Sequence, residues 1–305
     1  DPEYYKWNQY FFLKFLENGL AYRKAAAVNW DPIDQTVLAN EQVLADGTAE
    51  RSGAVVEKRD LEQWYFRITD YAQQLLDDLD QVDWPERVVT QQRNWIGRSE
   101  GAQFEMAVVT ADGQAVLSEE SVLSAGTSTP LQFSVFTTRP DTAFGMTFCV
   151  LAPEHPLVAE IVSESLREQV EAFITLARST SEIDRLSTER SLAERGCFTG
   201  AYATNPFTGD TVPIYLADYV LATYGTGAVM AVPGEDQRDF EFASIFGLEV
   251  IETVQRPEGF QGGAFTGDGP HINSSSVSHA VAAVELNLNG LNIAEAKNAA
   301  MDWLE

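Results

Sequence analysis

The chain has 305 residues, with 20 Lys and Arg against 46 Asp and Glu, a formal charge of -26, 45% apolar residues and 11% aromatic ones. That length allows two or three domains and a core that needs no disulfide or metal staple, and the aromatic content excludes an acidic disordered tail. The charge opposes non-specific attraction to phosphate backbones, so contact with nucleic acid requires a local basic patch or another domain.

In chain order, Asp1-Pro2 reads as a cap and first-turn proline, and the aromatic run Tyr4 to Leu16 as a buried helix stopped by Gly19. Asn29 to Gly53 is punctuated by Asp31-Pro32, Asp46-Gly47 and Ser52-Gly53 around short β-compatible runs such as Thr36 to Leu38, which predicts a hairpin knuckle. Leu61, Trp64, Tyr65, Ile68, Ala72, Leu75, Leu76 and Leu79 recur at helical spacing, and a second short helix is expected over Glu86 to Trp95, before Gly97. The texture then turns to strands, so a domain boundary is placed near Gly101. Strands are expected over Gln103 to Val109, Leu131 to Thr137, Phe198 to Tyr202, Thr211 to Tyr215, Gly227 to Val232 and Glu249 to Val254, with a Gly/Ser/Thr-rich turn at Leu123 to Thr129. Helices are expected over Leu157 to Ala177, Gln237 to Phe246 and Ile293 to Leu304, and Arg256 to Leu288 reads as loop with room for one strand. Cys149 and Cys197 stand in no metal-ligand spacing, which suits a reducing compartment. No apolar run approaches the about 18–20 residues that span a bilayer, so a soluble, cytoplasmic chain is expected. Its opening on Asp1 suggests a piece of something longer.

Two segments stand out chemically. Thr137-Thr138-Arg139-Pro140-Asp141-Thr142 is a strand end entering a turn with three hydroxyls, a guanidinium and a carboxylate; Asp141 can cap the next turn of chain. Tyr224 to Asp239 is a Gly-rich turn, an apolar strand and a helix start crowded with acids. Carboxylates in a first helical turn complement the helix dipole, so capping alone also accounts for Asp236 and Asp239.

Leu61-Glu62-Gln63-Trp64, Ile68-Thr69-Asp70-Tyr71-Ala72, Asp83-Trp84-Pro85-Glu86, Arg93 to Gly101, the Thr-rich turn and Gly225-Thr226-Gly227-Ala228-Val229-Met230 with Asp236-Gln237-Arg238-Asp239 together resemble bacterial-type leucyl-tRNA synthetase, in the family's order over essentially the whole chain. The resemblance implies an α/β chain: residues 1–100 as the end of the first half of a Rossmann-type class I catalytic core with its connecting knuckle, and 101–305 as the inserted, β-barrel-like editing domain with peripheral helices. The signatures His-Ile-Gly-His and Lys-Met-Ser-Lys-Ser are absent, so this chain alone is not expected to activate leucine. It implies hydrolysis of mischarged aminoacyl-tRNA, with no cofactor for editing, ATP and Mg for the full-length parent, the 3′ end of tRNA-Leu together with leucine and near-cognate amino acids as partners, and a monomer. An editing domain of valyl or isoleucyl type and a non-catalytic tRNA-docking module are the alternatives.

By match to the family motif, Asp239 binds the α-ammonium, Thr142 obstructs the leucine side chain, and Thr137 and Thr138 bond the substrate or water. Arg139 lies near ribose or phosphate, Met230 and Val232 line the pocket, and Tyr224, Asp236 and Arg238 complete the substrate-binding set. A carboxylate at a helix start is expected to stay ionised, and a β-branched Thr makes a stiff block. His155, His271 and His279 read as loop residues rather than bases. Glu235 stands where many members of the family carry His; it can take over water contacts, but a solvated helix-end acid is the plainer reading. Where many relatives carry paired zinc-binding cysteines in the knuckle, this chain has Asp31, Asp34, Ala49 and Ser52, so no metal site is expected.

Overall fold

A computed structural model describes residues 1–44, 46–117, 130–180, 185, 191–222, 225–276 and 285–305; the expected turn at 123–129 lies outside them. The chain divides into two compact units, Asp1–Ser99 and Glu100–Glu305.

In the first unit, Asp1 Oδ1 accepts from the Glu3 N–H at 2.9 Å and opens helix α1 (Pro2–Glu17). The expectation that this aromatic helix is buried does not hold, since Tyr4, Trp7 and Phe11 are 78%, 56% and 54% exposed. Within the unit only one stripe finds aromatic partners in the sheet, Phe12 against Trp64 at 5.0 Å and Phe15 against Phe66 at 5.6 Å. Strand β1 (Ala21–Asp31) pairs antiparallel with β2 (Thr36–Leu38) and β3 (Glu57–Phe66) in the order β2-β1-β3. The helix expected from Leu61 is therefore wrong at its start: Leu61 to Phe66 are a strand facing Ala26 to Ala21, and only α2 (Ala72–Asp78) follows the helical pattern. Leu61, Gln63 and Tyr65 alternate, half-buried, with exposed neighbours. A paired strand selects that period of two over a coincidental helical spacing. Helix α3 (Glu86–Ile96) ends at Gly97, whose φ of 65° closes it in the left-handed conformation that glycine adopts without strain.

The second unit contains β4 (Ala102–Val109), β5 (Gln132–Thr137), β6 (Phe148–Leu151), α4 (Val158–Ile161), α5 (Arg167–Ser179), β7 (Gly196–Thr204), β8 (Thr211–Ala217), β9 (Ala228–Ala231), α6 (Gln237–Phe246) and α7 (Ile293–Leu304). Its strands form one sheet in the order β5-β4-β7-β8-β6-β9, with β6 and β8 parallel and the other pairs antiparallel. Strands β5 and β9, at the two ends of that order, are neighbours in space without a shared ladder. The architecture is thus mixed α/β, and no closed barrel forms among the described residues: β9 is short and runs into Pro233, which has no N–H to extend a ladder. No parallel Rossmann sheet occurs among the described residues of the first unit.

Alternation along the central strands divides the core. Cys149, Leu151, Ile214, Leu216 and Met230 face one apolar layer, while Phe148, Val150, Tyr215, Ala217 and Ala231 face the other. Helix α6 docks on the second layer through Phe242, stacked on Phe148 at 5.0 Å between ring centroids. Helix α7 buries Ala296 and Ala300 in the first layer and lies against a buried 3₁₀ helix, Pro140–Gly145. The single helix expected over 157–177 breaks after Ile161, where Ser163 donates its N–H to Thr199 O at 3.0 Å. Gly200, with φ 85°, admits that approach: a Cβ there would stand 2.3 Å from Ser163 Oγ. The strand expected over 249–254 reduces to an isolated bridge, Val254 with His271.

Candidate active site

The Thr-rich segment leaves β5 and tightens at once into the 3₁₀ helix. Thr137 Oγ1 accepts from the Arg139 N–H at 2.9 Å, and Thr142, 2% exposed, donates its hydroxyl to Arg139 O at 3.0 Å. Both hydroxyls therefore brace the turn itself. Thr138 is exposed at the bend.

Asp141 does not cap the turn. It is fully buried, where its carboxylate takes Arg139 Nε and Nη2, the latter at 2.8 Å, and His271 Nε2 at 3.1 Å. Burial opposes its charge, but the hydrogen bonds from His271 and Arg139 and the Arg139 charge prevail and hold the carboxyl below its ordinary range. His271 is consequently no loop residue: its side chain is wholly buried, and Nδ1 lies 3.1 Å from Leu291 O. Nothing in its Gly- and Ser-rich surroundings signals that burial, because the partner is 130 positions away. His155 is half-buried in the turn after β6, and His279 lies outside the described residues.

On the second segment, Asp236 Oδ1 accepts from the N–H groups of Arg238 and Asp239 at 2.9 and 3.1 Å, a regular N-cap of α6. Asp239 turns back along the chain and its Oδ2 accepts from the Val232 N–H at 2.7 Å. Burial, and next the charge of Asp236, push its carboxyl up to about 7. A helix start is expected to keep this group ionised; burial and the Asp236 charge work against that, opposed by the Val232 N–H and the Arg238 charge. Met230 and Val232 are buried at 6% and 4% exposure. The Arg238 guanidinium lies 5.2 Å over the Tyr219 ring, beside a cavity of about 670 Å³ lined also by Leu192, Glu241 and Ile245, and its charge bears on Asp239. Tyr224 lies outside the described residues.

Glu235 is not a solvated acid. It is 7% exposed, and its Oε1 accepts from the N–H groups of Thr253 and Val254 at 2.7 and 3.1 Å. Burial raises its pKa against those bonds and the nearby Arg139 charge. That Arg139 acts on Glu235 reflects how closely the two segments meet. At Gly145, three residues after Thr142, a Cβ would stand 2.8 Å from Thr253 Cγ2, 3.1 Å from Ile251 O and 3.2 Å from Val232 Cγ1. At Gly234 it would stand 2.3 Å from Ile251 O. Two glycines thus let the Thr-rich helix, the 232–235 turn and the 251–254 segment close on one another.

A match by the family model for the leucyl-tRNA synthetase editing domain covers residues 93–305, and one for class I tRNA synthetases (I, L, M and V) covers residues 1–100. The chain belongs to the leucyl-tRNA synthetase family. Leucine--tRNA ligases of Nocardioides sp. and Roseiflexus castenholzii are 54% and 50% identical over the whole chain, which spans 33% of the length of each. A solved structure described as the ternary complex of Agrobacterium radiobacter K84 agnB2 LeuRS-tRNA-LeuAMS is 40% identical, with a TM-score of 0.59 over 86% of this chain and 30% of that one.

The knuckle of this family member does not fit a zinc ion. Asp31 Oδ1 accepts from the Ile33 and Asp34 N–H groups at 2.8 and 3.0 Å, and Oδ2 from Ser52 Oγ at 2.5 Å. Ala49 offers no donor atom, and Asp34 faces Arg51 at 3.5 Å. The Ser52 hydrogen bond, against burial, and the two backbone N–H groups lower the Asp31 pKa. A hydroxyl-carboxylate clip joins the two halves of this knuckle.

Proposed function

We propose that the second unit is the editing domain of a leucyl-tRNA synthetase and hydrolyses the ester joining a wrong amino acid to the terminal ribose of tRNA-Leu. The first unit is then the end of the first half of the Rossmann-type catalytic core with its knuckle. The observation that carries this reading is the meeting of the Thr-rich helix with the Asp239 turn at Gly145 and Val232. An apolar site alone separates side chains that differ by one methylene by only about 1–3 kcal/mol, so a second, hydrolytic sieve is required.

In the reaction, water oxygen bonds to the ester carbonyl carbon, the bond from that carbon to the ribose oxygen breaks, and a proton passes to the ribose oxygen. Asp239 clamps the substrate α-ammonium. The arriving cation draws its carboxyl back to the ionised form and orients the ester. Thr142, held by its bond to Arg139 O, excludes the leucine side chain. Thr137 and Thr138 hold the water or the developing oxyanion, Met230 and Val232 supply apolar wall, and Arg139 lies toward ribose or phosphate. Tyr224, Asp236 and Arg238 belong to the same reading as substrate-side residues. Editing needs no cofactor; ATP and Mg serve leucine activation in the longer protein, which acts as a cytoplasmic monomer. No helix among the described residues is long and apolar enough to cross a membrane.

The test is release of isoleucine, norvaline and leucine from the corresponding charged tRNA-Leu, by this chain and by the full-length protein. Hydrolysis of the first two with leucyl-tRNA spared is expected. Equal release of all three, or none from the full-length protein, overturns the reading.

A further inference from the structure

The two halves of the candidate site are tied, through different side chains, to two backbone segments that bond to each other, residues 271–272 and 253–254. From the Thr-rich side, Asp141 is bonded to His271 Nε2 at 3.1 Å. His271 is itself fastened at both ends of its peptide: its N–H donates to Leu291 O at 2.9 Å, and its carbonyl accepts from the Gly290 N–H at 2.8 Å. It pairs with Val254 as an isolated bridge, and the next residue, Ile272, donates its N–H to Thr253 O at 2.9 Å. From the Asp239 side, Glu235 Oε1 takes the N–H groups of Thr253 and Val254 at 2.7 and 3.1 Å. A continuous path therefore runs from Arg139 and Asp141 through His271 to Thr253, and from Thr253 through Glu235 into the turn that caps α6. Asp141, His271 and Glu235 are each buried, at 0%, 1% and 7% exposure, where polar contacts are sheltered from competing water.

We propose that His271 and Glu235 are positioning residues that hold the Thr142 helix and the Asp239 turn at a set separation through this shared bridge, and so set how sharply the site rejects leucine. The inference rests on the editing reading for its consequence but not for its geometry. Neither side chain belongs to the substrate-side residues of that reading. Each holds a segment that carries some of them, and a loss of about one ångström of register is what a steric sieve tolerates least.

The conservative variants separate positioning from mere presence. Glu235→Gln keeps an oxygen for the Thr253 and Val254 N–H groups, whereas Glu235→Ala does not. His271→Gln can set an amide donor where Nε2 stands, whereas His271→Ala leaves Asp141 with Arg139 alone. The experiment measures kcat and KM for isoleucyl- and leucyl-tRNA-Leu in the full-length protein, with amide hydrogen exchange on this 305-residue chain at Thr142, Thr253 and Ile272. Each Ala variant should raise leucine release relative to isoleucine release at least tenfold, mainly through kcat, while the Gln variants stay within about threefold of the parent. The double Ala variant should lose less than the product of the singles, as expected for residues acting through one element. Either Ala variant should also speed exchange at all three amides. Independent, multiplicative losses, or exchange changed only on the mutated side, would overturn the proposal. If the parent protein hydrolyses nothing, the editing reading fails, and the exchange measurement still decides the brace. Should an Ala variant fail to fold, the His271→Asn and Glu235→Asp variants serve; each is too short for its contact, and unaltered exchange in both counts against the proposal.

Discussion

The Val232 N–H donates to Asp239 Oδ2 at 2.7 Å, so the carboxylate proposed to clamp a substrate ammonium is seated at the end of the very strand proposed to supply the apolar wall. One hydrogen bond thus couples the polar and apolar parts of the site, and the short loop between β9 and α6 sets their spacing.

With the Asp239 carboxyl pushed up to about 7 by burial and Asp236, hydrolysis should rise along a single-proton limb as pH increases through about 6 to 7. The folded state binds the extra proton, so the contribution of this group to stability is full below about pH 4, the unfolded value, and is lost as pH rises toward 7. Asp239→Asn should abolish hydrolysis and flatten the stability profile; hydrolysis that persists with the same limb in that variant would show that another group titrates.

Thr142→Ala removes the buried side chain between the 3₁₀ helix and its surroundings and should let the full-length protein deacylate correctly charged leucyl-tRNA. Thr142→Val keeps the branched shape and loses only the bond to Arg139 O, so it should still reject leucine. Leucine release that stays unchanged in the Ala variant would move the sieve to a different residue.

Gly145→Ala should be worse than its size suggests. The new Cβ would meet Thr253 Cγ2 at 2.8 Å and Ile251 O at 3.1 Å, and overpacking of this kind costs about 1–3 kcal/mol. Both the denaturant midpoint and hydrolysis should fall; a variant with full activity would mean that the approach of the two segments is unimportant.

Phe242→Ala empties the stack on Phe148 and should cost about 3–5 kcal/mol of stability in the second unit. Because α6 docks through this ring, its N-terminal turn should loosen with it. A change in the melting temperature of less than a degree would contradict the packing described.

In the knuckle, the Asp31 carboxyl is lowered by its bond to Ser52, so its contribution to folding is present above about pH 4 and is lost as pH falls below that. Ser52→Ala should shift acid unfolding of the first unit to higher pH, while added zinc leaves the parent chain unchanged. A zinc-dependent rise in melting temperature would refute the clip.

Much of the local structure was legible from residue pattern: the Asp1 cap, the Gln237–Phe246 and Ile293–Leu304 helices, the Gly97 stop, and the alternating strands of the second unit. The caps, stops and helices rest on interactions within a turn or two of the chain, and the strands on an alternation that residue types display before any ladder forms. The sequence by itself also determined the family, through many short motifs in one order, and the two segments that carry hydroxyls and acids.

Tertiary structure decided the rest, wherever the energy of a residue depends on a partner far along the chain. Leu61 to Phe66 place their apolar residues at a helical spacing, and only the ladder with β1 makes them a strand. Asp141 and His271, 130 positions apart, look like a turn acid and a loop histidine until burial obliges each to find the other. Glu235 and Asp239 are both helix-start acids by pattern, yet one is spent on the backbone of Thr253 and Val254 while the other is desolvated to near neutrality. Pattern reports what a side chain can bond to; desolvation and distance, set only when the chain closes on itself, determine what it does bond to.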